Sequence, residues 1–184
     1  MATLFEVGPD DVAATNDEWY TPRWIFDAAS LVFDLDVCAP VAPEFRTCPA
    51  RRYLTVLDDG LTAPWSGLVW MNPPYSGVAP WVTRWVAHPA GLALLPASKS
   101  AWIGPALRSA DAICMTQFGA RGRQDGTWGV PGFGRPDGKQ KSYPTGVFLL
   151  ARGDESVAAL ARVAKADKYL QGAYHVRPSG PVLP

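Results

Sequence analysis

The chain has 184 residues, with 17 basic side chains against 17 acidic ones, and so carries no formal net charge. That length accommodates one domain with a real core and excludes two comfortable ones; neutrality excludes attraction to nucleic acid through overall charge and leaves only a local basic patch. Three widely spaced cysteines, Cys38, Cys48 and Cys114, fit reduced thiols rather than a disulfide framework, and with no CxxC pair and no histidines at ligand spacing no metal site is expected.

Residues 1–16 show no sustained periodicity and read as a flexible arm ahead of one domain over 17–175, with a tail at 176–184. The N-terminus is acidic and the longest apolar stretches end within about ten residues, so neither a signal peptide nor a membrane span is expected; a soluble cytoplasmic protein is. Thr21-Pro22 reads as an N-cap and first helical residue, followed by an apolar stripe of Trp24, Ile25, Ala28, Leu31 and Val32. Phe33 to Cys38 predicts the first strand, and residues 39–53, with three prolines and three arginines, a loop with one helical turn.

Leu68-Val69-Trp70-Met71 has the look of a buried strand and runs directly into Asn72-Pro73-Pro74-Tyr75. Pro80 to Val86 predicts a short amphipathic helix that stops at His88-Pro89. Gly91 to Leu95 reads as a strand, Ala101 to Ala110 as a helix broken at Pro105, and Ala112 to Phe118 as another strand. Tyr143 to Leu150 is a late strand, and Asp154 to Leu170 an Ala-rich helix with Val157, Leu160, Ala161 and Ala164 on one side. This alternation predicts an α/β fold with a mostly parallel sheet and helices on both faces.

Residues 119–142 break the rhythm. Seven glycines there accompany Arg121, Arg123, Arg135, Lys139 and Lys141 against Asp125 and Asp137, a basic loop suited to phosphate contact, with Trp128 and Phe133 as stacking or wedge residues. The bland reading is a solvated insertion. Of eight tryptophans in all, most are expected in the core.

The chemistry concentrates at the end of the 68–71 strand, where open α/β sheets place ligands. The Asn72 carboxamide oxygen and the Pro73 carbonyl can accept both hydrogens of an exocyclic base amine, the prolines hold the turn, and Tyr75 offers a stacking face. Read blandly, the four residues are a plain turn.

Asp17-Glu18-Trp19-Tyr20-Thr21-Pro22, Phe33-Asp34-Leu35-Asp36-Val37-Cys38-Ala39-Pro40, Asp58-Asp59-Gly60-Leu61 and Trp70 to Tyr75, in that order, resemble the phage-type DNA adenine-N6 methyltransferase family. The similarity covers about residues 16–150, including Leu94 to Ala97 and Lys99 to Trp102. The resemblance implies an enzyme on a Rossmann-like methyltransferase sheet that transfers a methyl group from S-adenosylmethionine to the N6 amine of a flipped-out adenine in DNA. It implies catalytic roles for Asn72, Pro73, Pro74 and Tyr75, and places Tyr20, Thr21, Pro22, Asp36, Cys38 and Ala39 at the cofactor. Asp36 would pair with its amino group and Asp58 or Asp59 with its adenine amine, while each aspartate read blandly caps a loop.

The basic loop, through Arg121, Arg123, Trp128, Arg135, Lys139 and Lys141, would hold DNA, assisted by Arg46 to Arg52. Two features depart from the common methyltransferase pattern: no glycine-rich turn follows the first strand, and 36 positions between Asp36 and Asn72 are too few for two strand-helix units, so the sheet is expected to be trimmed from the full seven-stranded form. Glu44 is the one candidate for the cofactor ribose. Alternatives are cytosine-N4 methylation and a non-catalytic nucleic-acid binding protein on a degenerate scaffold. A phage-encoded chain would work in the host cytoplasm, as monomer or dimer, with no membrane partner.

Overall fold

The structure, a computed structural model, describes residues 17–116, 133–134, 140–141, 146–166 and 174–176. Helix α1 (Arg23–Ala29) buries Ile25, Phe26 and Ala29 and ends where Ser30 adopts a left-handed φ of 47°. Leu31 and Val32 therefore fall outside the helix, and Val32 is 56% exposed. Pro22 occupies the cap position with no side-chain cap bond, and Thr21, expected as the cap, is buried.

Strand β1 (Phe33–Asp36) pairs in parallel with β2 (Ala50–Tyr53) on one side and β3 (Val69–Met71) on the other. The expected helical turn in the 39–53 segment is the 3₁₀ turn Pro43–Phe45, but β2 was not foreseen. Its Arg51 and Arg52 point into solvent at the sheet edge, so nothing apolar marks it as a strand. Arg51 reaches back to Asp34 at 2.7 Å, and Asp34 also accepts a 2.8 Å bond from the Leu68 amide. Together these hold the start of β3 against β1.

After β3 come α2 (Val78–Ala87), β4 (Gly91–Pro96), α3 (Ile103–Ser109) and β5 (Ala112–Thr116). Pro105 is the third residue of α3, in the first turn where amides lack intrahelical partners, so it starts the helix rather than breaking it. A two-stranded hairpin, β6 (Phe133–Gly134) and β7 (Gln140–Lys141), precedes β8 (Val147–Arg152), α4 (Asp154–Ala166) and β9 (Tyr174–Val176). Strand β9 extends the sheet through Val176, one residue into the expected tail. Helix α4 buries Ser156, Ala159, Leu160, Val163 and Ala164, a face turned slightly from the expected stripe.

The sheet order is β2-β1-β3-β4-β8-β5-β9. Ladders in the first half are parallel, and those joining β4 to β8, β8 to β5 and β5 to β9 are antiparallel. The sheet is thus mixed where a mostly parallel one was expected. Strand β8 enters reversed between β4 and β5, and its apolar run from Val147 to Ala151 carries no mark of its direction. Among the described residues this sheet has seven strands; the shortening lies between β1 and β3, where the described chain adds one edge strand and no α-helix.

Helices cover both faces, as expected. Phe33, Trp70, Leu92 and Leu94 pack with α1 and α4, while Leu35, Val69, Met71, Ala93 and Leu95 pack with α2 and α3, the alternation that a two-sided sheet requires. Phe133 belongs to the first of these cores, fully buried and edge-on to Trp19 at 5.9 Å, so it is not a base-stacking residue.

Strand β4 lies close enough to β3 to demand glycine at its start. Gly91 has φ +153°, and a Cβ there would stand 2.3 Å from the Val69 carbonyl oxygen. Gly91→Ala is expected to lower unfolding stability by about 2–4 kcal/mol, against less than about 1 kcal/mol for Gly77→Ala, where an added Cβ meets nothing within 4 Å. Urea denaturation of both variants checks the contrast.

Candidate active site

From β1 the chain crosses to β2 on one side and returns to β3 on the other, so strand order reverses between β1 and β3. The loops leaving their carboxyl ends diverge and leave a crevice. A cavity of about 390 Å³ opens there, walled by residues 17–21, by 36–41 after β1, by Asp59 to Leu61, and by Asn72 and Pro74 after β3.

Asn72 is the anchor. Its Nδ2 donates to the Trp19 carbonyl at 2.6 Å and to Thr21 Oγ1 at 3.2 Å. A carbonyl oxygen only accepts, so the atom against Trp19 must be the amide nitrogen, and this decides the orientation of the carboxamide. Its Oδ1 is buried with no hydrogen-bond partner among the described residues. A buried acceptor without a partner costs about 1–3 kcal/mol, a cost that a donor on a ligand removes.

Asp36, last residue of β1, is 3% exposed. Burial pushes its carboxyl up to about 7, opposed by the Cys38 amide, by Arg46 and by the Cys48 thiol; the Cys38 N–H donates to Oδ1 at 3.1 Å. Burial, and then the Asp36 charge, raise both Cys38 and Cys48 well above the ordinary thiol range, so neither is a nucleophile. Arg46 donates to the carbonyls of Pro40 and Val41 at 3.0 and 2.8 Å and lies over the Tyr53 ring. It braces the loop after β1.

The cavity brings together Tyr20, Thr21, Asp36, Cys38, Ala39, Asp59, Asn72 and Pro74. Tyr20 stacks on Phe45 at 4.9 Å to form one wall. Asp58 turns away and binds the Thr55 amide and hydroxyl, each at 2.8 Å, which hold its carboxyl below the usual range; it is a loop cap. Pro22, Glu44 and Pro73 are not among the lining residues. Gly60 presses the Asp59 loop onto the sheet, for a Cβ there would stand 2.2 Å from the Val37 carbonyl oxygen.

Tyr75 faces a second recess of about 380 Å³, shared with Ser76, Pro96, Ser98, Ser100 and Trp102. The Asn72 to Tyr75 segment therefore separates two hollows instead of lining one. Arg121, Arg123, Trp128, Arg135 and Lys139 lie outside the described residues, and of Lys141 only the main chain in β7 is described. Among the described residues no three His, Cys, Asp or Glu side chains group as metal ligands, and no helix is long and apolar enough to cross a membrane.

The sequence profile of the DNA N-6-adenine-methyltransferase (Dam) family matches residues 10–169. The chain belongs to this family. A DNA N-6-adenine-methyltransferase of Haemophilus phage HP1 (strain HP1c1) is 41% identical over 77 residues, which are 39% of this chain and 42% of that protein. The match thus spans about two fifths of the relative's own length. No solved structure matches the chain.

In this Dam-family chain Phe45, Thr47, Cys48, Leu61 and Trp81 also line the cavity, none of them expected there from the sequence. Phe45 precedes the Arg46 to Arg52 stretch and Cys48 lies within it, and only the unforeseen pairing of β2 with β1 carries them to the site. Thr47 Oγ1 donates to the Thr21 carbonyl at 2.7 Å, a link across 26 positions with no local signal.

The raised Asp36 carboxyl makes a stability statement. Between its unfolded value near 4 and its folded value near 7 the native state holds the extra proton, so stability is full at low pH and falls as pH rises through that window. Asp36→Asn is expected to abolish this slope and to stabilise the protein at alkaline pH by up to about 4 kcal/mol. Thermal melts across pH check it; parallel curves for both proteins would contradict it.

Proposed function

We propose that the protein transfers a methyl group from S-adenosylmethionine to the N6 amine of adenine in DNA, on a Rossmann-like methyltransferase sheet. One observation carries the reading: the clamped carboxamide of Asn72, whose buried Oδ1 has no partner among the described residues and whose side chain lines the same cavity as Asp36.

The residues present fit the donor. Asp36 is a buried carboxylate that an ammonium group would ionise and satisfy. Asp59, rather than Asp58, borders the cavity and can accept from the donor's adenine amine, with Tyr20 and Phe45 as an apolar wall. When bound, S-adenosylmethionine supplies a methyl group activated by its sulfonium leaving group.

The protein's own contribution is geometric and electrostatic. The adenine amine is a poor nucleophile because its lone pair is delocalised into the ring. Asn72 Oδ1 and the Pro73 carbonyl accept its two hydrogens, localise the pair on nitrogen and stabilise the positive charge that develops there. No strong base is needed, since the amine proton passes to solvent once the nitrogen is alkylated.

A base in a duplex cannot enter this site, so the adenine is flipped out. Tyr75 supplies its stacking face, with the amine directed toward Asn72. Pro73 and Pro74 hold the turn, while Arg121, Arg123, Trp128, Arg135, Lys139 and Lys141 grip the backbone of the DNA.

Mass spectrometry of digested DNA after expression tests the reading. N6-methyladenine is expected with the native chain, and Asn72→Ala is expected to bind S-adenosylmethionine in calorimetry yet turn over about 10²–10³-fold more slowly. N4-methylcytosine in its place, or unchanged turnover of Asn72→Ala, would overturn it.

A further inference from the structure

Resting on that reading, we propose that the Trp19 carbonyl and the Thr21 hydroxyl form a lock that makes position 72 a pure acceptor toward the ligand, and that this lock demands asparagine there rather than aspartate. Thr21 is then a positioning residue, acting on the reaction through Asn72.

The geometry leaves little choice. Asn72 Nδ2 stands 2.6 Å from one oxygen and 3.2 Å from another, so both amide hydrogens have acceptors within the protein. What remains is Oδ1, buried and with no hydrogen-bond partner among the described residues. A group bearing N–H is attracted to it, and a carbonyl at the same place is repelled. The lock is itself held: Thr21 is 3% exposed, and its carbonyl accepts from Thr47 Oγ1 at 2.7 Å.

An ionised carboxylate at position 72 would set oxygen against the Trp19 oxygen at hydrogen-bond distance, with no hydrogen between them. A protonated one would not, because a carboxylic acid has one O–H to donate and one carbonyl oxygen to accept. Asparagine-to-aspartate exchange, conservative in shape, is therefore switched by a proton here. Asp17, Glu18, Asp36, Asp59, Cys38 and Cys48 also line the cavity, and burial pushes the Asp36 carboxyl up to about 7, so activities are read as the ratio of variant to native chain at each pH.

Nuclear magnetic resonance of the full chain tests the lock directly. The Asn72 side-chain amide protons should exchange slowly with solvent and sit downfield, and Thr21→Val should accelerate their exchange. Methyl transfer to unmethylated genomic DNA tests its consequence. Asn72→Asp should be inactive at alkaline pH, and its ratio to the native chain should rise about tenfold per pH unit of acidification down to the pKa of the introduced group. Thr21→Val should lose about tenfold in kcat, and Thr21→Ser should recover it.

Amide protons that exchange like those of an exposed asparagine would overturn the lock, as would an Asn72→Asp ratio flat with pH. A locked amide in a chain that methylates no DNA would uphold the lock and overturn the amine-accepting reading on which its function rests.

Discussion

A single hydrogen bond, 2.6 Å from the Asn72 amide nitrogen to the Trp19 carbonyl, ties the end of β3 to the segment that enters α1. Much of the site depends on it. It draws residues 17–21 across the mouth between β1 and β3 and closes one side of the cavity. It also removes the donor end of the carboxamide from play, so that the end left over is an acceptor. Trp19 is held in turn by the edge of Phe133, which joins the clamp to the core on that face of the sheet.

The cavity is built against its own stability. A carboxyl buried at the tip of β1 is unfavourable, as is an amide oxygen with no partner among the described residues, and under the proposed function an ammonium and an amine offset both. Rigid elements supply the counterweight. The parallel β2-β1-β3-β4 half-sheet holds the two strand tips in register, and Arg46 braces the loop after β1 through two carbonyls. Gly60 admits the Asp59 loop at a distance no side chain would allow.

Much of this is legible in the amino-acid sequence. The apolar run into Asn72 marks a buried strand and its ligand end, and the strand-helix alternation marks a two-sided sheet. Local patterns fail where partners are distant. Thr21 looks like a helix cap in sequence, yet it answers to Asn72 and Thr47. The Ala50–Tyr53 strand carries exposed arginines, so its pairing is visible only beside β1. Asp58 and Asp59 are indistinguishable as neighbours, and only the left-handed backbone at Asp59, φ 49°, together with the Thr55 bonds of Asp58, separates wall from cap. The reversed direction of β8 leaves no trace in its composition.

A crystal structure with S-adenosylmethionine bound tests the site most directly. The donor's ammonium is expected within hydrogen-bond distance of Asp36, its sulfonium on the Asn72 side of the cavity, and the Asn72 amide still joined to the Trp19 carbonyl. A donor seated anywhere but between the ends of β1 and β3, or an Asn72 oxygen turned toward Trp19, would contradict this arrangement.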